Sequence, residues 1–267
     1  MGTGTRLLSL DGGARLAQDA RPLYDRIGIG YATTRRPDPR IAARVNDALG
    51  DAGTVLNIGA GTGNYEPPTH HVVAVDPSGR MLAQRPSGSA GAVRGNAEAL
   101  PFTDRAVDAA MAILTVHHWA NLNTGLAEMR RVARRRIVIL TFDPTITGEF
   151  WVTKAYFPAI AAYDRSRAVP ISQLVSVLGR ATVVPILIPH DCQDGFLGAY
   201  WRRPQAYFDA EVRAGISGFA RLEPAAVEEG LARLTDDVAT GAWAQQFGYL
   251  LGIDELDIGY RLIISEV

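Results

Sequence analysis

The chain has 267 residues, of which 47% are hydrophobic, and its formal net charge at pH 7 is −1. This length suits one α/β domain with insertions, and the charge excludes a global basic field that would attract nucleic acid or anionic lipid. No apolar run approaches the roughly 20 residues of a membrane span. We therefore expect neither nucleic acid nor a membrane as a partner. The single cysteine, Cys192, excludes an internal disulfide and favours a cytoplasmic location.

The N-terminal part is predicted to form a leader followed by a helical lid. Residues 1–17 are weakly patterned, which is typical of a loosely held leader. Ile27 and Tyr31 then follow at the spacing of one helix face. A further helix is expected over residues 41–49, where it can cover a sheet.

A glycine-rich loop follows the first predicted strand of the core. The strand covers residues 54–58, whose uncharged apolar run is typical of a strand buried on both faces. Gly59, Gly61 and Gly63 come next, at a spacing of two. Glycine permits a turn at positive φ and a close approach of the backbone to a ligand. The loop is therefore predicted to bind a ligand.

A carboxylate ends the second predicted strand, which covers residues 72–75 and leads to Asp76. At this position a carboxylate can accept hydrogen bonds from both hydroxyls of a ribose. Pro67 and Pro68 leave no space before this strand for the long helix that holds a pyrophosphate. These features indicate a nucleoside ligand and argue against a dinucleotide. The alternative for Asp76 is a cap for the helix predicted at 78–85.

Strands and helices alternate through the rest of the core. Further strands are predicted at 92–94, 109–114, 136–142, 181–188 and 259–265, and helices at 78–85, 121–133 and 224–239. The alternation predicts a parallel sheet with right-handed crossovers. In such sheets ligands bind beyond the carboxyl ends of the strands, so the loops there form one rim.

Four sequence blocks lie on this rim. They are Asn57-Ile-Gly-Ala-Gly-Thr-Gly63, Val75-Asp76-Pro-Ser-Gly-Arg-Met81, Gly95-Asn-Ala-Glu-Ala-Leu-Pro-Phe102 and Asp108-Ala-Ala-Met-Ala-Ile-Leu-Thr-Val-His-His-Trp119. In order and spacing they resemble the class I S-adenosylmethionine-dependent methyltransferases, in the branch that includes ubiquinone/menaquinone-type and natural-product enzymes. The resemblance covers about the first half of the chain.

The resemblance implies a Rossmann-like α/β fold. Its sheet would have seven mostly parallel strands with an antiparallel last strand. We expect a leader and lid over residues 1–50 and the cofactor-binding part over 51–267, in one domain overall. Helical insertions are expected at about 145–180 and 189–256, and insertions of this size usually shape a binding pocket. The oligomeric state is not indicated.

The resemblance also implies S-adenosylmethionine as cofactor, with S-adenosylhomocysteine as product. The implied cofactor-binding residues are Asn57, Gly59, Ala60, Gly61, Gly63, Asp76, Pro77, Met81, Asn96, Ala97, Glu98, Thr115 and Val116. Asn57 and Asn96 stand where the family usually has acidic residues. The first replacement weakens the expectation of a charged link to the methionine amino group.

The acceptor side is expected at the turn after the fourth strand, beneath the lid. His117 suits proton abstraction near neutral pH, and Tyr31 in the lid is the second catalytic candidate. Two adjacent histidines in an extended turn are not expected to face the pocket together, and the alternative is one packed and one solvated. The residues expected to line a largely apolar acceptor pocket are Tyr24, Tyr31, His117, Phe150, Trp151 and Trp201. The alternative for the aromatic residues is ordinary core packing.

The sequence therefore predicts methyl transfer to an oxygen, nitrogen or carbon of a small organic acceptor, by in-line displacement, in secondary metabolism. One alternative is a cofactor-binding protein without methyl transfer, for example one that steers a cyclisation. Protein or nucleic-acid methylation is another. A nicotinamide reductase is disfavoured, because the only lysine, Lys154, does not lie four residues after a tyrosine.

Two polar clusters are given structural interpretations. The arginines of residues 130–136 are expected at a solvated helix end, on the face opposite the ligand rim. His190, Asp191 and Cys192 have metal-ligand side chains, but consecutive residues rarely converge on one ion. No metal site is expected.

Overall fold

The computed structural model describes residues 24–27 and 31–267. The predicted leader over residues 1–17 lies outside this description, as do the side chains of residues 26, 27, 31 and 32. The role predicted for the Tyr31 side chain therefore also lies outside the described residues. The division of the chain at residue 50 stays a prediction.

A seven-stranded sheet forms the centre of the molecule. Its strands are β1 (Thr54–Ile58), β2 (His71–Asp76), β3 (Gly91–Arg94), β4 (Val107–Ile113), β5 (Ala133–Phe142), β6 (Ala181–Pro185) and β9 (Tyr260–Glu266), whereas β7 (Ile188–Pro189) and β8 (Glu255–Leu256) form a separate two-stranded sheet. The order is β3-β2-β1-β4-β5-β9-β6. The strands β1 to β5 are parallel, and β9 is antiparallel to both β5 and β6. The predicted fold class is confirmed.

Helices flank the sheet and build the additions. They are α1 (Tyr24–Ile27), α2 (Tyr31–Thr34), α3 (Pro39–Leu49), α4 (Gly79–Ala83), α5 (Leu122–Val132), α6 (Pro144–Thr147), α7 (Pro158–Arg167), α8 (Ile171–Leu178), α9 (Ala210–Ala214), α10 (Pro224–Thr240) and α11 (Ala242–Phe247). A π-helical turn covers Val152–Tyr156, and 3₁₀ turns cover Val116–His118, Leu197–Tyr200, Pro204–Phe208, Phe219–Arg221 and Gly248–Gly252. No helix in the described ranges combines the length and apolar character of a membrane span.

Alternation along β1 explains why helices cover both faces of the sheet. Val55 packs in a hydrophobic cluster with Val45 of α3, and Leu56 packs in a second cluster with Leu126 of α5. Because successive strand residues point to opposite faces, an uninterrupted apolar strand needs cover on both sides. The side chain of Asn121 accepts a hydrogen bond from the Thr124 backbone N–H at 3.0 Å and begins α5, as predicted.

The arginine cluster extends past the end of α5 into β5, which begins earlier than predicted. Arg131 pairs with Glu128, Arg134 with Asp108, and Arg136 with Glu266. Their charges are balanced by neighbouring carboxylates, so the strand can begin within the cluster.

The long insertion, defined as residues 190–254, leaves the core after β7 and returns at β8. Ile188 pairs with Leu256 in this small antiparallel sheet, and the His190 N–H donates to the Asp254 carbonyl at 2.8 Å. The strand predicted over 181–188 is therefore divided, because its last residue, Ile188, pairs with Leu256 of β8, whereas residues 181–185 pair with β9.

Candidate active site

A cavity of about 670 Å³ opens at the carboxyl ends of β1, β2 and β4. We call it the first cavity. It is lined by the predicted cofactor residues Asn57, Gly59, Ala60, Gly61, Asp76, Pro77, Met81, Asn96, Ala97, Glu98 and Thr115. The remaining two predicted residues, Gly63 and Val116, are not among its lining residues. The four blocks thus meet at one place, as the rim argument predicts.

The glycine-rich loop is shaped by a positive φ and a close side-chain neighbour. Gly59 has a φ of 70°, and a Cβ at this position would collide with the Thr115 side chain. The N–H groups of Gly59 and Ala60 both donate to the Val75 carbonyl, at 2.8 and 3.0 Å. Glycine is required here because its backbone lies against both β2 and the turn after β4.

Asp76 connects the glycine-rich loop to the corner after β2. Its carboxylate accepts hydrogen bonds from the N–H groups of Gly61 and Ser78, each at 2.8 Å. Burial raises the pKa of Asp76, while these two hydrogen bonds oppose the increase. The cap of α4 is Ser78, whose hydroxyl accepts from the Met81 N–H at 3.2 Å. Asp76 therefore does not have the alternative role of capping α4.

Asn57 presents an unsatisfied acceptor at the first cavity. Its side-chain nitrogen donates to Glu66 at 3.0 Å, whereas its buried Oδ1 has no hydrogen-bond partner among the described residues. Glu66 is itself held by Arg85 through bonds of 2.9 and 2.7 Å. A buried acceptor without a partner costs free energy. A ligand with an N–H donor would satisfy it.

Helix α1 is tied to the rim by its polar side chains. The Ser78 hydroxyl donates to Asp25, and this bond lowers the pKa of the Asp25 carboxyl. Tyr24 lines the first cavity, with its hydroxyl 3.2 Å from Nε2 of His118. Both contacts hold α1 next to the cavity, where the lid is predicted.

A second, smaller cavity of about 80 Å³ adjoins the first. Both cavities share the lining residues Tyr24, Arg35, Leu114, His118 and Arg221. The second cavity also has a largely apolar wall that includes Phe142, Ile160, Tyr163, Phe196, Ile216 and Tyr260. Asp164 and His117 are polar lining residues of this cavity.

His117 and His118 both reach the cavities, in contrast to the expectation from the sequence. His117 lines the second cavity and His118 lines both, with their ring centroids 3.9 Å apart. Both rings are half-buried, so the alternative of one packed and one solvated histidine also fails. The reason is that Val116–His118 forms a 3₁₀ turn and not the extended turn assumed. A 3₁₀ turn rotates successive side chains by about 120°, not by the 180° of a strand.

The histidines are uncharged at neutral pH. Burial, supported by the positive charges of Arg221, Arg167 and Arg35, lowers the pKa of His117 to about 4. Burial and the neighbouring His117 also lower the pKa of His118 well below its ordinary value. Nδ1 of His117 is buried and has no hydrogen-bond partner among the described residues.

Three of the aromatic residues predicted for the acceptor pocket lie in the core instead. Phe150, Trp151 and Trp201 are buried and are absent from the described lining of both cavities. The Trp151 Nε1–H donates to the Trp201 carbonyl at 2.9 Å, and the Trp201 Nε1–H donates to the Ile188 carbonyl at 2.9 Å. Their placement corresponds to the alternative interpretation, ordinary core packing.

The fold brings to the cavities several residues that no sequence pattern indicates. Arg35 lines both cavities and is paired with the buried Asp194 at 2.7 Å. Arg221 and Asp164 come from the additions after β5, where no motif marks them. Burial raises the pKa of Asp164 to about 6. Within the described residues, no cluster of three or more His, Cys, Asp or Glu side chains is arranged to hold a metal ion.

Comparisons with known proteins agree with this geometry. A family model described as a methyltransferase domain matches residues 56–140. A candidate methyltransferase from an antibiotic biosynthesis pathway of Anabaena variabilis ATCC 29413 is 37% identical, and the match covers 88% of this chain and 99% of that one with a TM-score of 0.82. No curated protein matches the chain.

A more distant solved structure has the same fold. It is an S-adenosylmethionine-dependent methyltransferase of Thermotoga maritima, described as a possible histamine N-methyltransferase. It is 16% identical, with 91% of this chain and 97% of that one covered and a TM-score of 0.53. Fold, rim motifs and the Anabaena relative together lead to one conclusion: the chain belongs to the class I S-adenosylmethionine-dependent methyltransferases.

Proposed function

We propose that this enzyme transfers the methyl group of S-adenosylmethionine to an oxygen, nitrogen or carbon of a small organic acceptor in secondary metabolism. The observation that carries the proposal is the adjacency of the two cavities, one with the cofactor motifs and one with an apolar wall. The second cavity, at about 80 Å³, favours a small molecule over a protein or nucleic acid. The Anabaena relative supports the metabolic context. A cytoplasmic location stays a prediction.

The residues of the first cavity fit the cofactor. The backbone of the glycine-rich loop lines the cavity at Gly59 and Gly61, and Asn57 Oδ1 can accept from the cofactor's amino group. Asp76 retains lone pairs for the two ribose hydroxyls. Asn96 and the Ala97 N–H would contact the adenine. When bound, the cofactor supplies an electrophilic methyl group on a sulfonium.

The second cavity would orient the acceptor and exclude water. Phe142, Phe196 and Ile216 lie on its wall. Charge is neutralised as a nucleophile attacks a sulfonium, so a dry, aligned approach lowers the barrier without a strong base. Leu114, at the end of β4, has a φ of 52° and donates to the Leu140 carbonyl at 2.7 Å, which fixes the turn between the cavities.

Two side chains at the second cavity can take a proton from the acceptor. His117 offers Nδ1, which has no partner among the described residues, but with a pKa of about 4 it is a weak base. Asp164 has a pKa of about 6 and is better matched to neutral pH. We propose Asp164 as the proton acceptor and His117 as a group that orients the acceptor by a hydrogen bond. Tyr31 remains a candidate for the same task.

The proposal is tested by following the methyl group. The enzyme is incubated with methyl-labelled S-adenosylmethionine and with separated small-molecule and macromolecular fractions of the cells that encode it. We expect label in a product of the small-molecule fraction only, and none with Gly59→Ala, in which the added methyl group meets Thr115 and displaces the glycine-rich loop. Label confined to protein or nucleic acid, or failure to bind S-adenosylhomocysteine in calorimetry, would contradict the proposal.

A further inference from the structure

Arg221 is a charged side chain at the junction of the two cavities. It lies at the end of the 3₁₀ turn Phe219–Arg221, in the long insertion, and lines both cavities. Its Nε is buried and has no hydrogen-bond partner in the part of the chain that the structure describes. No carboxylate in the described ranges forms an ion pair with its guanidinium. A buried donor on a permanent cation requires an acceptor, and none of the described side chains supplies one.

The ring of Tyr163 holds the Arg221 guanidinium in place. The guanidinium carbon lies 4.7 Å from the centroid of this ring. Stacking on an aromatic face orients the planar group and leaves its N–H donors at the edge. The donors are therefore held in an orientation suited to a two-oxygen acceptor such as a carboxylate or a phosphate.

No carboxylate among the described residues compensates the charge of Arg221 by an ion pair. The positive charge of Arg35, by contrast, is compensated by Asp194 at 2.7 Å. Asp164 is a carboxylate on the second cavity, and its pKa reflects burial without any contribution from an arginine. Among the described residues no ion pair joins Arg221 to Asp164, and the positive charge of Arg221 lies close enough to His117 and His118 to lower the pKa of both.

We propose that Arg221 binds an anionic group of the acceptor, a carboxylate or a phosphate, and thereby determines which molecules are methylated. This inference rests on the proposed function and adds a substrate class to it. The aromatic wall of the second cavity, with Phe142, Tyr163 and Phe196, suits an aromatic ring attached to the anionic group. The acceptor would thus be an aromatic acid or an aromatic phosphate ester.

The cofactor's own carboxylate is the other source of the same chemistry, since Arg221 also lines the first cavity. The acceptor is favoured because Arg221 adjoins Ser217 and Gly218, which line the second cavity and not the first. The two sources differ in a measurable way. Loss of Arg221 weakens the binding of acids in one case and of S-adenosylhomocysteine in the other.

The test uses the full chain loaded with S-adenosylhomocysteine and titrated in a calorimeter. The probes are benzoate and phenyl phosphate, each compared with an uncharged analogue, benzamide or benzyl alcohol. We expect at least one acid to bind about tenfold or more tightly than both uncharged probes, the effect of a charge-assisted hydrogen bond. Arg221→Gln should remove this difference and leave the Kd of S-adenosylhomocysteine within about twofold of wild type.

Arg180→Gln is the matched control, because Arg180 is exposed and lines neither cavity. It should keep the preference for acids. If Arg221→Gln does not fold, Arg221→Lys decides: it keeps the charge but loses the planar two-donor edge, and should retain only part of the preference.

Two results would overturn the inference while leaving the proposed function intact. One is wild-type protein that binds S-adenosylhomocysteine but does not prefer either acid. The other is an Arg221 variant that loses S-adenosylhomocysteine and keeps the acids, which would assign Arg221 to the cofactor. Wild-type protein that does not bind S-adenosylhomocysteine would instead contradict the proposed function.

Discussion

The Tyr65 hydroxyl donates a hydrogen bond of 2.7 Å to Asp194, and this contact joins the glycine-rich loop to the long insertion. Both side chains are buried, and Asp194 also accepts from Arg35 at 2.7 Å. Tyr65 has a φ of 64°, in the left-handed region, directly after the loop. The shape of the cofactor loop and the position of the insertion therefore depend on each other.

Tyr65→Phe should destabilise the fold by about 2 kcal/mol, because it removes a buried hydrogen bond to a charged group. We also expect weaker binding of S-adenosylhomocysteine, since the loop loses one of its ties. Chemical denaturation and calorimetry measure the two effects. Tyr249→Phe is the control, because Tyr249 is 69% exposed. Equal stability of Tyr65→Phe and wild type would show that the contact is not stabilising.

Gly59→Ala should abolish cofactor binding and destabilise the protein by about 3 kcal/mol or more, because the added methyl group meets Thr115. Gly88→Ala is a matched control: its φ is 83°, but nothing lies within 4 Å of the added Cβ. This substitution should reduce the stability only through the strain of a positive φ, by about 1 kcal/mol. Similar losses in both variants would mean that the contact with Thr115 has no role.

Asp76→Ala should weaken the binding of S-adenosylhomocysteine by about 2 kcal/mol or more, since charge-assisted bonds to the ribose are lost. Calorimetry measures this change. Asp254→Ala, at a side chain that is 93% exposed, provides the control. An unchanged Kd for Asp76→Ala would reduce Asp76 to a brace for Gly61 and Ser78.

The pH dependence of methyl transfer should identify the proton acceptor. If Asp164 takes the proton, kcat/KM falls as the pH is lowered through about 6, the pKa that burial gives this carboxyl. Asp164→Asn should lower kcat/KM and remove its decrease below about pH 6. If kcat/KM of the wild type decreases only near pH 4, the proton acceptor is His117 and not Asp164.

Protein stability should also depend on pH through His117. Its pKa is about 4 in the folded protein and 6.5 ordinarily, so the unfolded chain binds the proton more readily. Stability is therefore fully present above pH 6.5 and decreases as the pH falls toward 4, by at most about 3 kcal/mol. Denaturation at pH 7.5 and 5 should show a smaller loss for His117→Asn than for wild type. An equal loss of stability in both proteins would show that His117 does not cause the pH dependence.

Most of the lining of the first cavity could be predicted from the sequence because its signals are local. Gly59 is required by a backbone conformation, and Asp76 is a charge at the end of a buried strand. Both conditions are visible within a few residues of the chain. The same holds for Asn121, whose position before an amphipathic run predicts a helix cap.

Most of the lining of the second cavity could not be predicted, because its residues meet only through tertiary packing. Arg221 and Asp164 come from separate segments of the additions, without a motif around either. Trp201 is fully buried in the core. A large hydrophobic residue has the same appearance in the sequence whether it fills a core or lines a pocket. The orientation of His117 depended on a 3₁₀ turn that side-chain pattern does not indicate.

The pairing of β7 with β8 makes the long insertion a unit that can be exchanged. The chain enters and leaves it at adjacent residues, His190 and Asp254, so its length can change without shifting β6 against β9. Arg221 lies within this unit, whereas the glycine-rich loop does not. Recombination of residues 190–254 would therefore change the surroundings of Arg221 and leave the glycine-rich loop in place, provided that position 194 keeps an acid for Arg35 and Tyr65 and position 201 keeps a side chain that fills the core beside Trp151.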